Sequence, residues 1–192
     1  MKSDYKKTLF IYFISLSLML IGNFSKYSYI VNFLSLTIIP ILISEKLFNR
    51  QLNLNFKCKK IKLTLTVIFI TVIAYISAYL FIKGTNFKFP ENIIKIIIFQ
   101  LFYIAIPEEI FFRGILLGNI KKENRNPISK ENLFTSILFS IAHILIYKNP
   151  IMLKVIFPSL IFGFLFEKTN SLCAPIVTHL IYNIIYSAMF LL

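Results

Sequence analysis

The chain has 192 residues, 57% of them hydrophobic and only 15% charged, with a mean hydropathy of +0.76 and a formal net charge of +13. A soluble domain carries about 25% charge, so the composition excludes a water-soluble globular fold and predicts an integral membrane protein. The excess of base would suit either nucleic acid or acidic lipid, and the placement of the 21 Lys and Arg residues decides between them.

Apolar runs long enough to cross a hydrocarbon core, which takes about 20 residues, occur at 8–25, 27–44, 63–82, 92–117, 131–147, 150–166 and 172–191. The expected fold class is all-α, a polytopic transmembrane helical bundle of about seven spans. The opening MKSDYKKTLFIYFISLSLMLIG has a charged front and an apolar middle like a signal peptide. No small-residue cleavage site follows before the next apolar run, so it reads as a retained first span.

Between the second and third spans lies SEKLFNRQLNLNFKCKKIK, Ser44 to Lys62. Its alternation of Leu or Phe with basic residues suits a surface against anionic headgroups, and equally a solvated basic loop. With the N-terminus in the cytoplasm, fourteen basic residues fall inside: Lys2, Lys6, Lys7, Lys46, Arg50, Lys57, Lys59, Lys60, Lys62, Lys121, Lys122, Arg125, Lys130 and Lys168. The outer loops hold Lys26, Lys83, Lys88 and Lys148, while Lys95, Arg113 and Lys154 lie within spans. This asymmetry is the positive-inside pattern. It predicts a multi-pass protein with a cytoplasmic N-terminus and Leu192 outside, and makes anionic lipid, not nucleic acid, the partner of the base. Cys58 and Cys173 stand at unrelated spacings on the same reducing side and are expected to be inert.

The fourth span contains IAIPEEIFFRG, Ile104 to Gly114, which sets two glutamates and an arginine inside the membrane. Charges at the centre of a span cost about 2.5–3.5 kcal/mol each on insertion scales, so they need a use. Of the eight acidic residues six lie at predicted loops or helix ends and only Glu108 and Glu109 fall inside a span, as do both histidines, His143 in FSIAH of the fifth span and His179 in HLIYN of the seventh. At 1.5 Å per residue from the cytoplasmic helix ends, the depths are roughly 14 Å for Glu108, 18 Å for His143, 11 Å for His179 and 17 Å for Asn183. Three helices thus bring their strongly polar groups to one layer, which predicts an active site in a polar cavity between helices.

Residues four apart on a helix share a face, whereas neighbours point about 100° apart. Glu109 and Arg113 can therefore pair, leaving Glu108 turned elsewhere in a dehydrated cavity, the setting of a general base. His143 can share a water with it. His179 and Asn183, again four apart, offer two donors on one face for an oxyanion. Pro107 is expected to kink the span and free carbonyls toward the cavity. A base, a histidine on the same water and an oxyanion pair describe hydrolysis of an acyl compound, most simply a peptide bond. The chain has neither a Gly-x-Ser-x-Gly nucleophile nor a His-Glu-x-x-His zinc helix.

EEIFFRG resembles the Glu-Glu-x-x-x-Arg motif, FSIAH the Phe-x-x-x-His motif and HLIYN the His-x-x-x-Asn motif of the CPBP family. These are the CAAX-processing and bacteriocin-processing intramembrane proteases also called Abi proteins. Gly163 to His179 resembles the family's connection into its last motif, with Asn170 at a position where glycine is common; Asn tolerates a left-handed turn. The resemblance covers 92–192, the core helices, while 1–91 match only as apolar spans and a basic loop of the same integral membrane domain. It implies Glu108 as the water-activating base, His143 as its partner, His179 and Asn183 as oxyanion donors, and Glu109 with Arg113 as supporting charges.

The family has been read both as glutamate and as metalloproteases. Glu108, His143 and His179 would make a two-His, one-carboxylate zinc set; the metal-free reading is favoured because Asn183 beside His179 makes a donor pair, and it needs no cofactor. The richness in Ile, Lys and Asn points to a bacterium of low GC content, hence to a bacterial plasma membrane and to a bacteriocin, leader or signalling peptide as substrate. A non-catalytic immunity or scaffold protein that binds a bacteriocin or membrane partner is the alternative, and a small carboxylate-relay transporter a third reading that the lack of an inverted repeat disfavours.

Overall fold

A computed structural model gives the fold and describes residues 2–49, 51–52, 54–83, 92–120 and 128–190. Arg50, Lys88, Lys121, Lys122, Arg125 and Leu192, on which part of the topological expectation rests, lie outside the described residues. Among the described residues the protein is all-α, and each expected span corresponds to a helical segment. In chain order these are α1 (Lys2–Gly22), α2 (Ser28–Leu36), α3 (Ile38–Phe48), α4 (Ile61–Lys83), α5 (Ile93–Phe99), α6 (Ile106–Glu109), α7 (Lys130–Tyr147), α8 (Ile156–Thr169) and α9 (Cys173–Phe190). Segments Ser3–Gly22, Ser28–Phe48, Ile61–Phe81 and Pro150–Thr169 are long and apolar enough to cross a membrane, and Cys173–Met189 is apolar but shorter.

The second span is two helices and not one. Thr37 leaves helical geometry at φ −122° and ψ −88° between α2 and α3. Pro40 accounts for this, because its ring lacks an N–H and crowds the carbonyl four residues back, that of Leu36. The hydroxyl of Thr37 donates to Phe33 O at 2.6 Å, satisfying one of the carbonyls left open.

The core is formed by α1, α7, the start of α9 and the helix around Glu109. Ile11, Tyr12, Phe111, Phe112, Leu138 and Phe139 are buried together there. Tyr12 ties α1 to α7 by donating to Leu138 O at 2.9 Å. Where α7 and α8 cross, a Cβ on Gly163 would stand 1.8 Å from Asn132 Oδ1, so only glycine admits the contact. Asn132 Nδ2 donates there to Leu160 O at 2.9 Å.

One face of the bundle collects the basic ends of the helices. Lys7 Nζ donates to Leu47 O at 2.8 Å, Asn119 Nδ2 to Ser44 Oγ at 2.6 Å, and Ser129 Oγ to Glu167 Oε1 at 2.6 Å. Residues 54–60 run without regular structure along the turn between α8 and α9. Leu172 N donates to Asn55 O at 2.7 Å, Asn55 Nδ2 to Asn170 O at 2.8 Å and Ser171 Oγ to Lys57 O at 2.7 Å. Asn170 adopts the expected left-handed conformation, φ 50°, and closes α8 by donating to Phe166 O.

The basic segment is thus neither wholly solvated nor wholly surface-bound. Leu52 and Leu54 pack on the core, with Leu54 against Gly114, whereas Phe56 to Lys60 are exposed. Its docking also corrects the expectation of two unrelated thiols. Cys58 and Cys173, 115 residues apart in sequence, form a disulfide with a Cα–Cα distance of 5.2 Å, within the range such a bond requires.

Candidate active site

The fourth span is a continuous helix over 93–117 with an unusual interior. Its hydrogen bonding widens to π geometry over Gln100–Ala105 and again over Ile110–Leu117, on either side of α6. Pro107 sits in α6 and lacks an N–H, and just before it Ile106 N–H donates to Leu101 O, five residues back. The span therefore adjusts at the expected kink by widening while the helix continues. Wide turns of this kind are frequent at functional sites.

Arg113 is fully buried and its guanidinium is held on every side. Nη1 donates to Glu109 Oε1 at 2.9 Å, so the pair expected from the i,i+4 spacing forms. Nη2 donates to Ser159 O at 2.8 Å and to Ser159 Oγ at 2.7 Å. The rings of Phe139 and Phe162 lie 5.1 and 5.2 Å from the guanidinium carbon, close enough for cation–π attraction. A planar guanidinium fits this slot and a lysine ammonium does not.

Glu109 has a second partner that the spacing did not reveal. His179 Nδ1 lies 2.8 Å from the same Oε1 that receives Arg113. A carboxylate paired to arginine only accepts, so Nδ1 carries a proton and Nε2 is the ring atom turned toward Glu108. It stands 3.8 Å from Glu108 Oε2, which accepts no hydrogen bond among the described residues. The His179 ring stacks on Phe162 with centroids 4.8 Å apart.

His143 comes from α7. Its Nδ1 is 3.0 Å from Phe139 O one turn earlier, which places the donor there and leaves the lone pair on Nε2. Phe139 stacks on the His143 ring at 4.3 Å, and with its cation–π contact to Arg113 this explains why phenylalanine stands four residues before the histidine. Glu108 and His143 line one narrow cavity, large enough for a water molecule. The remaining wall is largely apolar and includes Tyr12, Leu16, Met19 and Leu36 from α1 and α2. Asn183, one turn after His179 on α9, points its Nδ2 at Gln100 Oε1, 2.9 Å away.

Glu108, Glu109, Arg113 and His179 are therefore joined by direct contacts, His143 reaches the group through the cavity it shares with Glu108, and Asn183 adjoins it from the same helix as His179. Sequence reasoning missed Ser159, Phe162 and Gln100. The signal available was thin: Gln100 is the one glutamine inside a span, and Ser159 a small polar residue in an apolar run.

The three donors that spacing would offer to zinc do not converge here; among the described residues no three His, Cys, Asp or Glu side chains are grouped to hold a metal ion. His179 Nδ1 and His143 Nδ1 are both taken by protein acceptors, so only their Nε2 atoms would be available to one.

Residues 90–185 match the family described as type II CAAX prenyl endopeptidase Rce1-like. The match spans half of the chain and includes every residue of this constellation. The chain belongs to that family. Rce1-like membership, with the apolar helices above, makes it a multi-pass membrane protein and a hydrolase of the intramembrane endopeptidase kind. No curated protein and no solved structure matches the chain.

Proposed function

We propose that the protein hydrolyses a peptide bond with a water activated by Glu108 and His143. One observation carries this reading: Arg113 and His179 share a single oxygen of Glu109, while of the two glutamates, each with one oxygen unpartnered among the described residues, it is Glu108 that lines the cavity with His143. Glu108 accepts a proton from water as the oxygen attacks the scissile carbonyl, and His143 Nε2 orients that water by accepting its other hydrogen. The tetrahedral oxyanion is stabilised by His179 and Asn183. For His179 to donate from Nε2 the ring must be an imidazolium, and Glu108 and Glu109 supply counter-charge at its two edges. The proton held by Glu108 passes to the departing amine as the C–N bond breaks. Glu109 and Arg113 orient His179 and touch no reacting atom.

The N-terminus and the face that gathers residues 44–60 and 167–173 are cytoplasmic, in a bacterial plasma membrane, and the C-terminus is outside; on that reducing side the Cys58–Cys173 bond forms only where an oxidant reaches it, and the two thiols otherwise lie side by side. The exposed Lys57, Lys59 and Lys60 rest near anionic headgroups. The substrate is a bacteriocin, leader or signalling peptide that reaches the cavity from the membrane. Zinc on Glu108, His143 and His179 is the competing chemistry.

The test is cleavage by the purified protein in lipid nanodiscs. It is offered a panel of prenylated CAAX peptides and unprenylated leader-type peptides, read by mass spectrometry. Cleavage by the wild type and none by Glu108→Gln is expected; equal cleavage by Glu108→Gln would overturn the assignment.

A further inference from the structure

We infer that Gln100 is a positioning residue for Asn183, holding its carboxamide in the orientation that stabilises the oxyanion. The inference rests on the proposed role of Asn183. Gln100 opens the first widened stretch of the 93–117 helix, eight residues before Glu108. A carboxamide inside an apolar span is costly unless it is hydrogen-bonded, and Gln100 Oε1 accepts from Asn183 Nδ2 at 2.9 Å.

The bond does more than satisfy two polar groups. The Nδ2 of Asn183 carries two N–H bonds that diverge in the amide plane. Accepting one of them fixes that plane and leaves the other N–H to donate. Without an acceptor at position 100 the amide is free to turn its oxygen toward the developing negative charge, which repels it.

The arrangement repeats what holds the histidine. His179 and Asn183 lie one turn apart on α9, and each is held by an acceptor from the same 93–117 helix: Glu109 Oε1 for His179 and Gln100 Oε1 for Asn183. The acidic motif provides the first acceptor. The second precedes that motif and belongs to none of the three motifs.

The experiment is a double-mutant cycle on the full chain in nanodiscs, using the peptide from the panel above that the wild type cuts. Gln100→Met keeps the length of the side chain and removes the acceptor; Gln100→Ala is carried beside it. Asn183→Ala should lower kcat about 100- to 1000-fold, the usual loss of one oxyanion donor. Gln100→Met should lower kcat by up to about 100-fold, as misplacing a catalytic group does, with KM and the thermal midpoint held. In the Asn183→Ala background it should cost nothing further.

A normal kcat in Gln100→Met beside a slow Asn183→Ala overturns this inference and leaves the proposed function standing. Additive losses also overturn it, since Gln100 would then act without Asn183. Failure of both Gln100 variants to fold makes the residue a packing element and overturns it too. A normal kcat in Asn183→Ala, or no cleavage of the panel by the wild type, removes the oxyanion reading and this inference with it.

Discussion

Glu109→Gln isolates the structural half of the acidic pair. Glu109 is fully buried and its Oε1 accepts from Arg113 at 2.9 Å and lies 2.8 Å from His179 Nδ1. The amide keeps the shape and an acceptor oxygen but removes the charge that balances a buried guanidinium. Removing one partner of a buried ion pair costs roughly 3–5 kcal/mol. Arg113 retains both bonds to Ser159 and both aromatic faces, and a cation–π contact is worth about 0.5–2 kcal/mol, so the expected loss is at the low end, about 3 kcal/mol. For a chain of this size that is a fall of about 6–12 °C in thermal midpoint, taking 2–4 °C per kcal/mol. Glu108→Gln should lower the midpoint by less than Glu109→Gln, because among the described residues its Oε2 accepts no hydrogen bond, its contact with His179 Nε2 is the longer one at 3.8 Å, and its side chain is 15% exposed. Adding Arg113→Met to Glu109→Gln should recover stability without activity, since removing both members of a buried pair is close to neutral. The assay is thermal unfolding in one detergent, followed by tryptophan-independent dye binding or circular dichroism. A Glu109→Gln protein as stable as wild type, or a Glu108→Gln protein destabilised more than it, refutes the division of roles.

Exhaustive chelation should leave cleavage unchanged; activity lost to chelator and restored by zinc would assign Glu108, His143 and His179 to a metal. Gly163→Ala forces a Cβ to within 1.8 Å of Asn132 Oδ1, and overpacking of this kind costs about 1–3 kcal/mol, measurable as a lower midpoint. A cysteine placed at Asn124 in a Cys58→Ser, Cys173→Ser background should resist impermeant thiol reagents in intact cells, and labelling from outside would reverse the proposed orientation. Reducing the Cys58–Cys173 bond should lower the midpoint by much less than the about 4.7 kcal/mol that a 100-residue loop gives a soluble chain, because helices that stay in the bilayer leave little loop entropy to restrict; a drop of that full size would refute this.

The helices were legible because an apolar run can enter a bilayer only with its backbone groups satisfied internally, and four of the described segments are long and apolar enough to cross one. The Glu109–Arg113 pair was legible too, since helical spacing is local geometry. What escaped depends on contacts between segments far apart in sequence. Nothing at Cys58 announces Cys173, 115 residues on; the pairing follows from how residues 54–60 lie on the turn after α8. His179 was assigned as a donor from its spacing to Asn183, and its bond to Glu109, 70 residues earlier, is a product of helix packing. The break at Thr37 was signalled by Pro40, yet hydropathy reads through a proline without registering it. The widened turns around α6 left no such mark, because a π turn changes which carbonyl an N–H meets without changing which residues are apolar.

The bilayer itself explains why the site takes this form. Without water to solvate them, the polar groups of a span must satisfy one another, and here the bonds that do so also aim the atoms to which the proposed mechanism gives the chemistry. Arg113 neutralises Glu109, and Glu109 in turn fixes the proton of His179 on Nδ1, which turns Nε2 toward Glu108. Phe139 both faces the guanidinium and supports the His143 ring, while its carbonyl takes the Nδ1 proton and leaves Nε2 with its lone pair. An adjacent glutamate is suited to the reactive role because the turn of about 100° between neighbours removes it from the partners that fix the other. In the proposed mechanism a single Glu could not serve both ends: Glu109, fully buried to meet Arg113 and His179, lies outside the cavity lining, and a carboxylate turned into the cavity would leave the buried guanidinium unbalanced. On the proposed mechanism the doubling of glutamate in EEIFFRG separates the charge that stabilises the fold from the charge that is left for chemistry.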